Sequence, residues 1–216
     1  MTGLLIKDLK LMTTQKSALF MTGGIAIILV ISTENFSFVI TYLTIIGVMY
    51  TMNTLSYDSF DNGNAYLFSL PITRKGYVAE KYVFGFLGGG TLGLTGAALC
   101  FAVNAVKGSV SFEEILVNAF VALPLMMFLL GFLLPIEIKF GAEKARIMIM
   151  IVTCLFFVTG LAVVKAGNAL HIDLASWFKQ IENRLELAAA VSLAAGVIIL
   201  GISCIISVRI INKKEF

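Results

Sequence analysis

The feature that most constrains this chain is a series of long apolar stretches that contain no Asp, Glu, Lys, Arg or His side chain. An α-helix rises about 1.5 Å per residue, so about 20 such residues cross the hydrocarbon core of a bilayer. The sequence is 59% hydrophobic and 13% charged, whereas about a quarter of the residues of a soluble domain are charged. These features predict an all-α membrane protein.

Six stretches are long enough to span the membrane. The predicted spans are Ser17–Thr33, Phe36–Tyr57, Tyr82–Val106, Ile115–Ile136, Ile147–Val164 and Leu187–Val208. They divide one transmembrane domain into the segments 1–16, 17–57, 58–81, 82–136, 137–146, 147–208 and 209–216. Segments 58–81 and 137–146 are predicted as loops on one side of the membrane. Pro124 and Pro135 predict a kink and a sharp exit in the fourth span.

The distribution of basic residues predicts the orientation. With six spans, both termini and the two loops share one side, and this side carries twelve of the sixteen basic residues. They are Lys7, Lys10, Lys16, Arg74, Lys75, Lys81, Lys139, Lys144, Arg146, Arg209, Lys213 and Lys214. Because cytoplasmic loops are enriched in Lys and Arg, this side is predicted to be cytoplasmic.

Residues 1–16 are predicted to form a helix that lies along the membrane surface. Leu5, Leu9 and Met12 fall on one helical face and Lys7 with Lys10 roughly opposite, although Asp8 interrupts the apolar side.

The predicted spans lack the groups that most membrane enzymes and ion-coupled carriers need. An ionisable side chain inside a span usually marks an ion or proton pathway, and none is present. The one histidine, His171, falls in the predicted external segment and provides neither a metal site nor a Ser-His pair within the membrane. An ion-coupled secondary carrier is disfavoured but stays open, because Asn side chains and backbone carbonyls also bind cations. No metal, bound cofactor or nucleic-acid partner is expected.

The loop "FDNGNAYLFSLPITRKGYVAEKY" is too apolar for a simple turn. Leu67, Phe68 and Leu70 form a short apolar face that Pro71 ends, and Thr73 is placed to cap a new helix. The loop is therefore predicted to fold as two helices that meet at a proline elbow. The residue pattern favours equally a protein-binding surface and an anchor in lipid headgroups.

The third predicted span has a small residue at every fourth position: Gly85, Gly89, Gly93 and Ala97. Small residues at this spacing allow close approach of a neighbouring helix. A phosphate-binding loop is excluded, because no Gly-Lys-Ser/Thr follows the glycines. The stripe predicts helix packing.

The segments "NGNAYLFSLPITRKGYVAEKY" and "LPIEIKFGAEKARI" together resemble the signature of small six-helix permeases of the ABC-2 transporter family. The resemblance extends over essentially the whole chain. It implies the transmembrane domain of a type V ABC exporter, with an N-terminal interfacial helix, a cytoplasmic coupling helix and an external helical element before the last span. It also implies a bacterial cytoplasmic membrane, with both termini cytoplasmic.

The resemblance implies partners that this chain lacks. A separate ATP-binding subunit would bind ATP and Mg, and a second copy or a homologous permease would complete the pair within the lipid. The residues expected to contact the ATP-binding subunit lie in two groups. They are Leu70, Pro71, Thr73, Arg74 and Tyr77 at the elbow, and Lys139, Glu143, Lys144 and Arg146 in the later loop.

The cargo is predicted only from the kind of permease that the chain resembles. Small permeases of this kind include exporters of amphipathic peptides such as phenol-soluble modulins, and immunity pumps for bacteriocins. Export of an amphipathic peptide is therefore the expectation, with lipid-linked and drug-like cargo left open. A membrane immunity or sensor subunit that does not transport is the other alternative.

Overall fold

The computed structural model describes residues 2–33, 35–60, 63–108, 110–169 and 185–214. The regular structure of these residues is helical, with no strand among them. The helices are α1 (Thr2–Thr14), α2 (Lys16–Ser32), α3 (Phe36–Ser59), α4 (Gly63–Ser69), α5 (Arg74–Lys107), α6 (Phe112–Ala169) and α7 (Leu185–Lys213). The all-helical prediction is confirmed. The predicted external helical element, with His171, lies outside the described residues.

Four of these helices are long and apolar enough to cross a membrane, or five if α1 and α2 together form one bent span. The candidate spans are Phe36–Ser59, Arg74–Lys107, Phe112–Ala162 and Ala188–Lys213. At about 1.5 Å per residue, the 51-residue stretch in α6 is about 77 Å long, more than twice the thickness of a hydrocarbon core. The six-span count stays a prediction, which requires α6 to cross twice.

Helix α6 changes direction at Gly141, where φ is 74° and ψ is 166°. This backbone conformation is accessible essentially to glycine alone. Pro135 does not end the helix, and residues 137–146 are helical on either side of Gly141. The predicted loop 137–146 is therefore a helical segment with a break at one residue. This single break is enough to change the direction of the helix between the fourth and fifth predicted spans.

Helices α1 and α2 meet at an angle of 70°, with Gln15 as the one non-helical residue between them. The buried side chains of α1 are Leu4 and Asp8, whereas Leu9 is exposed. The face that packs on the protein is therefore rotated from the predicted apolar face of Leu5, Leu9 and Met12.

The core consists of two apolar clusters around α3 and α5. One contains Val48, Met52, Leu55, Val78, Met126, Leu130 and Ile211 among its buried members. The other, toward the opposite ends of these helices, contains Val30, Phe36, Ile40, Cys100 and Ile115. Helix α5 extends through both clusters without a break, so it connects the two ends of the molecule.

Candidate functional site

The predicted elbow is a short extended segment between α4 and α5. Helix α4 ends at Ser69, and α5 begins at Arg74. Thr73 adopts an extended conformation, and its Oγ1 accepts a hydrogen bond from the Gly76 backbone N–H at 3.1 Å. This confirms the predicted N-cap. Leu70 is 43% exposed, and Pro71 beside it is also exposed, so these two residues form the tip of the elbow.

Arg74 ties the elbow to the end of α7. Its Nη1 donates hydrogen bonds to the backbone carbonyls of Ile211 and Asn212, both at 2.9 Å. A cation at a helix C-terminus satisfies carbonyls that have no partner within the helix and is stabilised by the helix dipole. The guanidinium also lies 5.9 Å from the centre of the Phe68 ring, so Arg74 joins α4, α5 and α7.

Tyr77 lies inside the protein and not on the elbow's surface. It is 1% exposed, and its ring makes an edge contact with Phe68 at a centroid distance of 5.4 Å. Its hydroxyl donates to Asp58 Oδ2 at 3.1 Å. A side chain in this position supports the elbow from beneath and is not available for direct contact with a partner subunit.

Beneath Tyr77, a buried ion cluster joins α1, α3 and α5. We define the ion cluster as Lys7, Asp8, Asp58 and Lys81. The Lys81 ammonium pairs with Asp8, and with Asp58 Oδ2 at 2.8 Å. Lys7 pairs with Asp58, and with Asp8 Oδ1 at 3.0 Å. Asp8 and Lys81 are both 0% exposed.

The hydroxyl of Thr54 adds neutral hydrogen bonds to the ion cluster. It donates to Asp8 Oδ2 at 3.2 Å and lies 3.2 Å from the Lys81 ammonium, which donates to it. For Lys7 in α1, burial lowers the pKa, but the hydrogen bond and charge of Asp58, together with Asp8, raise it by more. Removing either partner from such a pair is costly, because the other charge is then buried without compensation.

Glu80 borders the ion cluster, but its carboxylate forms no hydrogen bond with the residues of the cluster. Its side chain is 1% exposed, and neither carboxylate oxygen has a hydrogen-bond partner among the described residues. It interacts electrostatically with Lys81, Asp8 and Lys7. With Glu80 counted, three carboxylates surround the two lysines of the ion cluster.

A groove of about 530 Å³ opens between α1 and the elbow. Gly3, Leu4 and Lys7 form one wall, and Leu70, Pro71 and Ile72 are among the residues that form the other. The exposed tip of the elbow and the interior face of α1 therefore border the same open space.

The second predicted contact group lies around Gly141. Lys139, Glu143, Lys144 and Arg146 are all exposed. The Lys139 ammonium lies 5.0 Å from the centre of the Phe140 ring. Arg146 lines a different cavity, beside Gln15 and Asn53. The four residues share a stretch of α6, but Arg146 faces the junction of α1 and α2.

The predicted small-residue stripe lies where α5 packs closely on α3 and α6. A Cβ atom added at Gly93 would lie 2.6 Å from Thr44 Oγ1, and one at Gly89 would lie 2.6 Å from the Met126 sulfur. A Cβ added at Gly85 would overlap the Leu130 side chain, and Ala97 is buried in the second apolar cluster. A larger residue at Gly85, Gly89 or Gly93 would therefore require the facing side chain to move.

The ion cluster is the part of the site that the sequence pattern did not reveal. Asp58 and Lys81 fall one residue outside two predicted spans, where loop charges are expected, and Asp8 looked like an interruption of an apolar face. A carboxylate on the apolar face of a surface helix was the available signal, because a buried charge requires a partner.

Comparison with curated proteins and with solved structures gives no match. Comparison with family models does: one described as an ABC-2 family transporter protein matches residues 3–212. The match covers all the described helices apart from the end residues of α1 and α7. The chain therefore belongs to the ABC-2 transporter family, as an integral membrane permease subunit that implies a separate ATP-binding partner.

Proposed function

We propose that this permease exports an amphipathic peptide, such as a toxin or an antimicrobial peptide, across the cytoplasmic membrane with energy from ATP hydrolysed by a separate subunit. One observation carries the coupling part of this proposal. The exposed elbow continues directly into α5, which runs for 34 residues without interruption. A force applied at the elbow therefore moves one long helix, and not a flexible loop.

The tip of the elbow is the proposed contact with the ATP-binding subunit. Leu70 and Pro71 offer exposed apolar surface there, and Thr73 holds the start of α5 in a fixed direction. Arg74 and Tyr77 keep the elbow attached to α7 and α3. We therefore assign Leu70 and Pro71 to direct contact, and Thr73, Arg74 and Tyr77 to support.

The small-residue stripe is proposed to pass movement of α5 to its neighbours. Close packing makes the helices move together, since small shifts are not absorbed by a tightly packed interface. Lys139, Glu143 and Lys144 are proposed as a second contact with the ATP-binding subunit. Arg146 is left out of this contact because it lines a separate cavity.

The proposed assembly is of the type V kind, with two permease copies and two ATP-binding subunits. Each copy would cross the membrane six times, with α1 at the cytoplasmic surface and α6 crossing twice around Gly141. Support for outward transport of an amphipathic peptide comes from the resemblance of the chain to small exporters. The broad apolar surface of the second part of α6, including Met150, Phe157 and Val158, is available for lipid, a second permease or cargo.

The test uses the permease copurified with its ATP-binding subunit in lipid. Leu70→Asp should lower peptide-stimulated ATP hydrolysis and peptide export, because it places a charge at the apolar contact. Phe112→Asp is the control with the same introduced charge, since Phe112 is 63% exposed and lies at the start of α6, away from the elbow. Unchanged stimulation and export in Leu70→Asp would contradict the proposed contact.

The same preparation separates the alternatives. An ion-coupled carrier would transport in proteoliposomes with an ion gradient and no ATP. An immunity or sensor subunit would bind a partner through the elbow but move no peptide under either condition. Export that requires ATP and the second subunit would support the proposal against both alternatives.

A further inference from the structure

A cavity of about 310 Å³ opens on a face of α3 different from the one that holds the ion cluster. It is lined by Gln15, Asn53, Ser56, Tyr57, Phe60 and Arg146. Three parts of the chain meet here: the junction of α1 and α2, the last turns of α3, and α6 just after Gly141. Three predicted spans begin or end at these positions, so the cavity lies at the predicted membrane surface.

The polar side chains among the described lining residues can all donate hydrogen bonds. Arg146 carries the one positive charge among them, and it forms no hydrogen bond or ion pair with the described residues. The side-chain amides of Gln15 and Asn53 add N–H donors, and Tyr57 adds a hydroxyl. An arginine fork surrounded by neutral donors matches the oxygens of a phosphate group.

Glu137, an acid whose charge acts on Arg146, does not line the cavity. Glu137 is 6% exposed, and its Oε1 accepts a hydrogen bond from the Ser56 hydroxyl at 2.8 Å. It interacts electrostatically with Arg146 but does not form an ion pair with it. The described residues of the lining include no carboxylate, so Arg146 is the charged group among them that an entering anion meets.

We infer that this cavity binds the phosphate of an anionic lipid headgroup in the leaflet on the basic side of the protein. Arg146 is the main ligand, and the side chains of Gln15, Asn53 and Tyr57 complete the site. The exposed rings of Tyr57 and Phe60 lie where aromatic residues commonly contact the headgroup region.

The composition of the lining favours a headgroup over the apolar face of an amphipathic helix. Its polar residues are Arg146, Gln15, Asn53, Ser56 and Tyr57, and Phe60 is the one purely apolar residue among the described ones. A phosphate with its attached alcohol is smaller than a helical turn and leaves its acyl chains in the surrounding lipid. The inference does not depend on the cargo.

The experiment measures which lipids the purified full-length permease retains. The protein is equilibrated in mixed micelles with equal amounts of phosphatidylglycerol and phosphatidylcholine, and bound lipids are counted by native mass spectrometry. Arg146→Gln should lower the retained ratio of phosphatidylglycerol to phosphatidylcholine about tenfold, because charge-assisted hydrogen bonds are lost. Lys10→Gln removes one exposed positive charge from the same predicted side, outside the cavity, and should leave the ratio unchanged.

Several results would overturn the inference. An equal decrease in both variants would mean diffuse attraction to positive charge. Displacement of phosphatidylglycerol by millimolar inorganic phosphate would assign the cavity to a free anion. Displacement by an amphipathic peptide with a free carboxylate, but not by its amidated form, would assign it to cargo. If Arg146→Gln does not fold, Arg146→Lys is measured instead. Its retained ratio of phosphatidylglycerol to phosphatidylcholine should be lower than that of the unmodified protein, because lysine lacks the planar guanidinium fork. An unchanged ratio would overturn the inference.

Discussion

The two ends of α5 are held in place by different forces. At its beginning, Lys81 is enclosed by Asp8 and Asp58 in the ion cluster, and Arg74 holds the end of α7. At its end, apolar packing around Cys100 dominates, and Gly108 closes the helix in a left-handed conformation. Charged hydrogen bonds fix both distance and direction, whereas apolar contacts fix mainly distance.

This difference suits the two ends to different tasks. The beginning of α5 lies beside the elbow, where an external force is proposed to act, and directional bonds there connect α1, α3 and α5 as one body. The opposite end rests mainly on apolar packing, with one exposed cation, Lys107, on the backbone carbonyls at the end of α2. We expect this end to be held less firmly than the end at the ion cluster. The predictions below test the two ends, beginning with the largest expected effect.

Breaking the ion cluster should destabilise the permease most. Asp8→Ala leaves the buried Lys81 with Asp58 as its remaining ion-pair partner, which it shares with Lys7, and loss of one member of a buried pair costs about 3–5 kcal/mol. Thermal unfolding of the detergent-purified protein measures the change. The double variant Asp8→Ala/Lys81→Met should recover a large part of the loss, because Asp58 then pairs with Lys7 alone and no buried lysine has to share its partner. A double variant no more stable than Asp8→Ala would argue against a buried ion pair.

The middle of α5 should respond to a single methyl group. A Cβ at Gly47 in α3 would lie 2.5 Å from the Gly88 backbone oxygen, and backbone has no rotamer with which to move away. Gly47→Ala should therefore separate the helices and cost about 1–3 kcal/mol by overpacking. Gly90→Ala is the matched control, since nothing lies within 4 Å of its added Cβ. Equal unfolding temperatures for the two variants would contradict the close α3–α5 contact.

The helices could be predicted because their signals are local. Two residues, Pro71 and Thr73, were enough to predict where α5 begins, and Thr73 does cap the backbone N–H of Gly76. The four-residue spacing of small residues from Gly85 to Ala97 predicted the face of α5 that packs closely on its neighbours. Each of these signals lies within one helix or one turn. The family resemblance used the same short segments and is confirmed over residues 3–212.

The rest depends on contacts between distant segments. The partners in the ion cluster are separated by as many as 73 residues, so neither Asp8 nor Lys81 indicates the other in the sequence. The burial of Tyr77 follows from the same approach of α3 to α5. The break at Gly141 was missed for another reason: an exposed, charged stretch looks like a loop, although a single glycine is sufficient to turn the chain.

The cap of the elbow should have a moderate effect on stability. Thr73→Ala removes the acceptor for the Gly76 backbone N–H and should cost about 1 kcal/mol. Thr73→Ser keeps a hydroxyl and should be close to the unmodified protein. Hydrogen exchange of the first turn of α5 reports the change locally. If exchange at Gly76 is the same in both variants, the cap does not stabilise this helix start.

The smallest effect is expected at the opposite end, at Lys107. Its ammonium donates to the backbone carbonyl of Ile31 at 2.6 Å and to that of Val30 at 3.3 Å, at the end of α2. Lys107→Met should cost about 0.3–1 kcal/mol, because a cation near a helix C-terminus contributes that much at an exposed site. Lys107→Arg retains the charge and should lose less. Unfolding temperatures measure the stability of both variants. High salt should reduce the difference in unfolding temperature between Lys107→Met and Lys107→Arg, because salt screens the charge at this exposed site. A loss for Lys107→Met as large as that for Asp8→Ala would show that charge controls both ends of α5 alike, and the proposed difference between the ends would then be wrong.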